Sequence, residues 1–381
     1  MKKSRILAIF LVICMMVAMT ACTSTEDAKK EGGGETQQAE SPDKKGKEPL
    51  KVAFVYNSLI GDAGWCYGHE QARKKVEEEL DFVETTYMED IAVGTQAQRV
   101  FSQLAEDGYD VIIPVTSAFE EDCRAIAPQY PDTWFLQNSG TYTAPNCESL
   151  MPDTTEVWWL LGKAAAMLTK TKKIGVVGGF TASIDMAITN AWLLGAQSVD
   201  PDITEHIIYI NTYYDPAAER DAALSLADAG CDVLSQGTNT AAHVQVAVEK
   251  GLYAMSQYED MSSYGPDVYV SGDDLNWAAY YIDTLTKIHE GTLVPQEPYA
   301  STNLWDKSCN YLPWGPMVTD EMKAELDKAY EELKADPDLI WKGPIYDNQG
   351  NLRVKEGEYL SDEDFISMDW WVKGVVTAGG E

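Results

Sequence analysis

Aromatic, amide and carboxyl side chains recur in the segments that follow the short apolar runs of this chain. Aromatic rings stack on flat apolar faces, while amides, hydroxyls and carboxylates pair with donors and acceptors at a ligand's rim. These residue types suit a flat, neutral, hydrogen-bonding ligand, and sugars and nitrogen heterocycles both qualify. The candidate ligand-binding residues are Asp62, Trp65, Tyr67, Ser117, Phe119, Trp192, Tyr213, Gln236, Asn239, Asp260 and Asp273.

The sequence lacks the motifs that would indicate catalysis or a bound cofactor. The glycines of Gly175–Gly179 miss the G-x-G-x-x-G spacing, and the chain contains no P-loop, G-x-S-x-G or H-E-x-x-H. With only four histidines and no C-x-x-C, a metal site is not expected either. An enzyme such as a nucleoside hydrolase would need clustered aspartates for a metal, or a nucleophile beside a base. We therefore expect no cofactor and no enzymatic activity.

Charge and composition narrow the class of partner. The formal net charge of −32 repels phosphates, so nucleic acid is not an expected partner. A hydrophobic fraction of 45% is typical of a globular protein, and 381 residues suggest two domains.

Short apolar runs alternate with amphipathic stretches from Leu50 onward. The apolar runs predict strands at Leu50–Asn57, Val83–Met88, Asp110–Val115, Thr133–Gln137, Lys173–Gly178, His206–Thr212, Cys231–Gln236, Leu252–Gln257 and Val268–Ser271. The amphipathic stretches predict helices at Gly68–Leu80, Thr95–Asp107, Phe119–Gln129, Thr155–Leu168, Ile184–Val199, Ala217–Ala229, Thr240–Lys250 and Trp277–His289.

This alternation predicts an α/β fold of two Rossmann-like lobes, each with a parallel sheet covered by helices on both faces. The lobes are predicted at 49–148 plus about 275–305, and at 152–272 plus about 310–378, with an irregular stretch at Asn138–Pro152 between the two series of strands. Open α/β sheets bind ligands beyond the carboxyl ends of their strands. The loops expected at the site are Asn57–Tyr67, Thr116–Phe119, Gly178–Asp185, Thr212–Asp215, Gln236–Asn239 and Gln257–Asp260.

The N-terminal segment reads as an export signal. Lys2, Lys3 and Arg5 precede an uncharged apolar run that ends at Ala21, next to Cys22. Met19-Thr20-Ala21-Cys22 resembles a bacterial lipobox, which implies cleavage after residue 21 and lipidation of Cys22. Residues 22–48 are polar and predict a flexible tether. We therefore expect an exported protein, lipid-anchored at the outer face of the cytoplasmic membrane. An ordinary signal peptide is the alternative.

The remaining cysteines are odd in number, so they cannot all pair with one another. They are Cys66, Cys123, Cys147, Cys231 and Cys309. Whether Cys123 and Cys147 form a disulfide stays open, and unpaired buried thiols are the simpler expectation.

Four groups of segments, in order along the chain, carry a family resemblance. They are Val52–Tyr56 with Gly61–His69, Asn211–Pro216, Tyr253–Ser262, and Gly343–Asp347 with Asp369–Val376. Together they cover essentially residues 50–378, and they resemble the basic membrane protein family of lipoproteins. Members of that family are solute-binding components of ABC importers with the type I periplasmic-binding fold. The resemblance implies two lobes joined by a hinge.

The resemblance also implies a ligand class, because characterised members bind purine nucleosides or, in the branch most similar to this sequence, a purine base. It implies that Trp65 stacks on the base and that Asp260 faces it. Nucleoside-binding relatives offer a lysine to the ribose where this sequence has Leu275, which implies a preference for the free base. Adenine, guanine, hypoxanthine and xanthine are the candidate bases.

The sequence therefore predicts a lipid-anchored protein that captures a purine by hinge closure and delivers it to an ABC permease. Three alternatives stay open: a sugar-binding or autoinducer-type protein of the same fold, a flavin ligand of the riboflavin type, and a receptor subunit that reports ligand occupancy to a membrane kinase.

Overall fold

A computed structural model describes residues 48–61, 64–305 and 308–378. The predicted signal at 1–21, the lipidation site Cys22, the tether through residue 47 and the candidate site residue Asp62 lie outside the described residues.

The strands and helices alternate along most of the chain. The strands are β1 Leu50–Val55, β2 Val83–Met88, β3 Val111–Pro114, β4 Trp134–Asn138, β5 Cys147–Met151, β6 Lys173–Gly178, β7 Thr204–Tyr209, β8 Val233–Gly237, β9 Tyr253–Ser256, β10 Tyr269–Leu275, β11 Ala300–Ser301, β12 Cys309–Tyr311, β13 Ile345–Tyr346, β14 Leu352–Val354 and β15 Val375–Ala378. The α-helices are α1 Trp65–Glu79, α2 Thr95–Glu106, α3 Glu120–Ile126, α4 Thr155–Leu168, α5 Ser183–Gln197, α6 Pro216–Asp228, α7 Ala242–Lys250, α8 Trp277–Glu290, α9 Asp320–Ala335 and α10 Asp362–Ile366.

Two sheets organise these elements into two lobes. The first sheet has the strand order β11-β5-β4-β3-β1-β2, and the second has the order β12-β10-β9-β8-β6-β7-β15. Neighbouring strands are parallel throughout the first sheet. In the second sheet only β12 runs antiparallel, against β10. The predicted α/β fold with parallel-sheet, Rossmann-like lobes is confirmed.

Helices cover both faces of the first sheet, as the side chains of β1 show. Val52 and Phe54 belong to one apolar cluster with Tyr281 of α8, whereas Ala53 and Val55 belong to a second cluster with Phe101 of α2. Successive strand residues point to opposite faces, so a strand that is apolar at every position is buried on both sides. All four β1 residues are fully buried.

In the second lobe, α4 and α5 pack together through glycine. A Cβ at Gly162 of α4 would lie 2.0 Å from the carbonyl oxygen of Trp192. A Cβ at Gly195 of α5 would lie 2.0 Å from that of Trp159. No other residue type fits such a close approach of two backbones, so these glycines set the distance between the helices that lie beneath one face of the second sheet.

One predicted feature is wrong: the stretch Asn138–Pro152 is not irregular throughout, because β5 occupies Cys147–Met151. Its polar residues Glu148 and Ser149 are fully buried, so the segment lacks the apolar pattern of a strand. Glu148 accepts hydrogen bonds from the Tyr280 hydroxyl at 3.0 Å and from the Gln296 backbone at 3.1 Å. The five cysteines from Cys66 onward are buried, and they form no disulfide with one another in the described structure.

The chain passes between the two sheets three times: between β5 and α4, between β10 and α8, and between β11 and β12. Hydrogen bonds tie these passages together. Thr302 N–H donates to the Met151 carbonyl at 3.0 Å, and its hydroxyl donates to the Asp153 carbonyl at 2.9 Å. Asn276 N–H donates to the Ser308 carbonyl at 2.9 Å. The lobe boundaries expected from the sequence remain a prediction.

Candidate functional site

A cavity of about 900 Å³ lies between the lobes, at the carboxyl ends of the parallel strands. The first lobe contributes the segment after β1, the start of α1 and the segments after β2, β3 and β4; the second contributes the segments after β6, β7, β8 and β9. Each of the six loops expected from the sequence supplies part of the wall. Strand direction explains this, because the carboxyl ends of parallel strands meet at one edge of each sheet.

Four of the predicted site residues line the cavity: Trp65, Ser117, Tyr213 and Asn239. Trp65 opens α1 and its side chain is half-buried. The indole Nε1 donates to the carbonyl oxygen of Val115. The rings of His69, Tyr258 and Trp277 meet the indole edge-on, at centroid distances of 5.0 to 5.3 Å. The indole is therefore held in one orientation at the wall.

Aromatic side chains of the second lobe stay largely exposed inside this cavity. The exposed fractions are 44% for Phe180, 40% for Tyr213 and 56% for Tyr214. Phe180 and Tyr213 contact each other edge-on at 5.0 Å. Large apolar surface of this kind, gathered in a concave site, marks a place where a ligand is bound.

Asp185 supplies a carboxyl group to the same wall. It lies in the first turn of α5, and Oδ2 accepts a hydrogen bond from the Tyr213 hydroxyl at 3.2 Å. Burial raises the pKa of Asp185 to about 7, against the lowering effect of that hydrogen bond. Asp185 was not predicted as a site residue, although it is the only acidic residue of the expected loop Gly178–Asp185.

Trp192 and Gln236 lie behind this wall and line a second, much smaller cavity of about 20 Å³. Both are almost fully buried in the second lobe. Trp192 packs edge-on against Trp158 with a centroid distance of 5.8 Å. The two cavities share the wall residues Phe180, Asp185 and Gly237, so the small one adjoins the large one directly.

Four predicted site residues of the described chain line neither cavity: Phe119, Tyr67, Asp260 and Asp273. Phe119 is fully buried against Phe101 at 5.6 Å, because the turn that places Ser117 at the wall directs Phe119 into the core. Tyr67 is 40% exposed on α1. Asp260 is exposed, and its Oδ1 accepts the N–H of Ser262 at 2.8 Å, which begins a short 3-10 turn.

Asp273 and Leu275, both on β10, lie away from the cavity wall as well. Asp273 is fully buried and Leu275 nearly so. Leu275 packs in the main apolar core and pairs with Cys309 of β12. Its side chain therefore gives no reason to expect discrimination against a ribose, which corrects the argument drawn from its place in the sequence.

Carboxylates are the only charged side chains of the described cavity wall. They are Asp90 and Asp185. Within residues 48–61, 64–305 and 308–378, no group of three or more histidine, cysteine or acidic side chains is placed to hold a metal ion. The arrangement offers aromatic faces, hydroxyls, an amide and carboxyls, which are groups suited to bind and orient a small solute.

Two α/β lobes around a cavity at their strand ends are an architecture that many solute-binding proteins share. Solved structures of this class resemble the chain. An ABC transporter solute-binding protein from Conexibacter woesei aligns with a TM-score of 0.63 at 22% identity, covering 76% of this chain and 97% of the other. One from Aeropyrum pernix aligns with a TM-score of 0.65 at 16% identity, covering 84% and 96%.

The family model of the PnrA-like ABC transporter substrate-binding proteins (Bmp) matches residues 50–300, and the chain belongs to that family. A purine-binding protein of Brucella abortus is 32% identical over 334 residues, which are 86% of this chain and 93% of the other. A putative ABC transporter glucose-binding protein of Haloferax volcanii is 31% identical over 360 residues, which are 93% and 86%.

Membership of the family establishes an ABC transporter substrate-binding protein, which works outside the cytoplasm with a permease and a small solute. Solute-binding proteins of this kind are not enzymes. In the part of the chain that the structure describes, no helix combines the length and the apolar character needed to cross a bilayer.

Proposed function

We propose that the protein captures a purine in the interlobe cavity and delivers it to an ABC permease. The observation that carries this proposal is the set of exposed aromatic faces, Phe180, Tyr213 and Tyr214, across the cavity from the first lobe. A purine has two apolar faces and a rim of donors and acceptors. Stacking of a base on an aromatic side chain contributes about 1–3 kcal/mol. The similarity to the purine-binding protein of Brucella abortus supports the same ligand class.

Polar groups at the wall match the rim of a purine. The Asp185 carboxyl accepts N–H groups, the Asn239 amide both donates and accepts, and the Ser117 hydroxyl does the same. A hydrogen bond to a carboxylate is roughly twice as strong as a neutral one. Without a cationic side chain on the described wall, a phosphorylated ligand would be disfavoured. A base or a nucleoside is thus favoured over a nucleotide.

The size of the cavity leaves room for more than the base. Ligand pockets typically enclose about 300–1,000 Å³, and 900 Å³ lies near the upper end of that range. A nucleoside therefore fits the cavity. Leu275 lies in the core and does not support a preference for the free base over the nucleoside. That preference now rests on the family resemblance alone.

Closure of two lobes around the ligand is the proposed mechanism. The lobes contact each other through Trp65 and Tyr258, whose ring centroids are 5.3 Å apart. Gly64 lies so near Asn239 that a Cβ there would come within 2.7 Å of its side chain. Hinge closure of this type buries the solute and presents a closed form to the permease. The expected lipid anchor at Cys22 would hold that form near the membrane.

A sugar is the second candidate ligand, because the glucose-binding protein of Haloferax volcanii is as similar as the purine-binding relative. Aromatic faces and carboxylates also suit a pyranose ring.

Mass spectrometry of small molecules released from the purified, denatured protein tests the proposal first. Calorimetric titration with adenine, hypoxanthine, guanine, their nucleosides and glucose then ranks the candidates. We expect at least one purine to bind, and glucose to give no heat of binding. Binding of glucose without any purine would overturn the proposal in favour of the sugar.

A further inference from the structure

Three N–H donors in the wall of the small cavity behind Asp185 have no hydrogen-bond partner within the described protein, and one of them, Trp158 Nε1, lies beside the carboxyl of Asp273. The other two are Trp192 Nε1 and Gln257 Nε2. Trp192 is fully buried and Gln257 is 5% exposed. Buried N–H groups are nearly always paired in folded proteins, so this cavity is built to receive an acceptor.

Its size limits what that acceptor can be. A cavity of about 20 Å³ exceeds the roughly 10–15 Å³ that one water-sized atom needs, and leaves no room for a ring. Neighbouring polar groups do not supply the acceptor. Gln236 is already engaged, because its Oε1 accepts the Gln257 N–H at 3.1 Å and its Nε2 faces the carbonyl oxygens of Thr238 and Gln257 at 3.3 and 3.4 Å. A single oxygen with two lone pairs fits both the space and the donors.

The position of Asp185 adds a second element of recognition. Asp185 belongs to the walls of both cavities, and the Tyr213 hydroxyl donates a hydrogen bond to its Oδ2. If one atom of the ligand entered the small cavity, the ligand atoms next to it would therefore lie beside Asp185, which is a hydrogen-bond acceptor. The small cavity thus offers two buried N–H donors, from Trp192 and Gln257, and Asp185 offers an acceptor between the two cavities. This arrangement is complementary to a carbonyl group adjacent to a ring N–H.

Resting on the purine assignment above, we propose that the small cavity receives the carbonyl oxygen of a 6-oxopurine, while Asp185 accepts the adjacent ring N–H. Hypoxanthine and guanine carry this pair of groups. Adenine carries an amino group in place of the carbonyl, and that group would meet two donors without an acceptor. Recognition of a polar substituent in a buried site gives strong discrimination, because the wrong analogue leaves buried groups unpaired.

Calorimetric titration at pH 8 with hypoxanthine and adenine tests the proposal on three variants. Trp192→Phe removes the indole N–H and keeps an aromatic ring, and Gln257→Met removes the amide at similar length. Trp134→Phe is the matched control, since Trp134 is half-buried on β4 and lines neither cavity. Thermal unfolding of each variant establishes that it is folded.

We expect the wild type and Trp134→Phe to bind hypoxanthine about tenfold to a hundredfold more tightly than adenine. Trp192→Phe and Gln257→Met should each lose most of that ratio by weakening hypoxanthine alone. Equal affinities in the wild type, or equal losses for both bases in the variants, would overturn the proposal; equal losses would indicate a water molecule in the small cavity. If neither these two bases nor their nucleosides bind, the purine assignment itself fails. If purines bind without the expected ratio, only the carbonyl assignment fails.

Discussion

The carboxyl of Asp273 accepts the backbone N–H of Tyr258 at 2.7 Å. Tyr258 has a φ of +70°, a conformation that non-glycine residues seldom adopt, and its ring contacts Trp65 of the other lobe. A fully buried carboxyl on β10 thus holds the segment that carries an aromatic side chain to the cavity. Asp273 acts on the site through Tyr258, as a positioning residue.

Asp273→Ala is expected to destabilise the fold by about 1–3 kcal/mol and to weaken ligand binding, because the Tyr258 N–H loses its acceptor. Asp273→Asn keeps an oxygen at that place and should retain both properties better. Denaturant unfolding and calorimetry measure the two effects. Indistinguishable behaviour of the Ala and Asn variants would contradict the positioning role.

Trp65→Ala is expected to weaken purine binding by about 1–3 kcal/mol, the contribution of one stacked aromatic ring. Trp65→Phe should retain most of the affinity, since a smaller aromatic face remains. Circular dichroism serves to verify that both variants are folded. An affinity of Trp65→Ala within threefold of wild type would show that the indole does not stack on the ligand.

Asp260→Asn is expected to leave ligand affinity unchanged within about twofold, because substitutions of exposed residues usually change free energies by no more than about 0.5 kcal/mol. The family resemblance implied that Asp260 faces the ligand, and on that basis the same substitution would cost affinity. Its exposed side chain and its hydrogen bond to Ser262 give the opposite expectation. A tenfold loss in calorimetry would return Asp260 to the site.

Asp185→Asn is expected to raise the stability of the ligand-free protein at pH 8 relative to wild type. The pKa of Asp185 is raised to about 7 in the folded protein, above the ordinary 3.8, so the wild type loses stability as the pH rises from about 4 to 7. The gain of the variant should therefore vanish near pH 4 and level off above pH 7. Thermal unfolding across this range measures it, and a gain that is constant with pH would contradict the assignment.

Gly64→Ala is expected to weaken ligand binding roughly tenfold, because its Cβ would come within 2.7 Å of the Asn239 side chain in the other lobe. Gly68→Ala is the matched control. Its Cβ would approach Glu259 Oε1 at 2.8 Å, the end of a flexible side chain that can move away. If the two variants bound the ligand equally well, the Gly64 contact would have no part in closure.

The sequence patterns predicted the regular elements well where burial is uniform. The bounds of β6 and α4, which are mostly buried and apolar, agree with the prediction. β5 was not predicted, because the polar residues Glu148 and Ser149 interrupt its apolar pattern. Both are buried, and hydrogen bonds compensate for their burial. The two-residue strand β11 and the three-residue strand β12 are too short to show a period.

The site was predictable at the level of loops, and less so at the level of side chains. The alternation of strands and helices predicts parallel strands, and the loops at the carboxyl ends of parallel strands meet at one edge of each sheet. The rotation of a side chain at the end of a turn depends on packing partners far along the chain. Ser117 lines the cavity, whereas Phe119, two residues later, packs on Phe101 in the core. The sequence of this segment does not reveal that difference.

The threefold passage of the chain between the sheets has a consequence for biosynthesis. β11, at residues 300–301, completes the edge of the first sheet by pairing with β5. A chain that stops before Ala300 therefore lacks part of the first lobe, even though that lobe begins at β1. The first sheet is completed only after β6 to β10 of the second sheet have been made, and the second sheet only at β15. No single truncation therefore separates the two lobes, because each lobe contains segments that lie on both sides of a part of the other in the sequence.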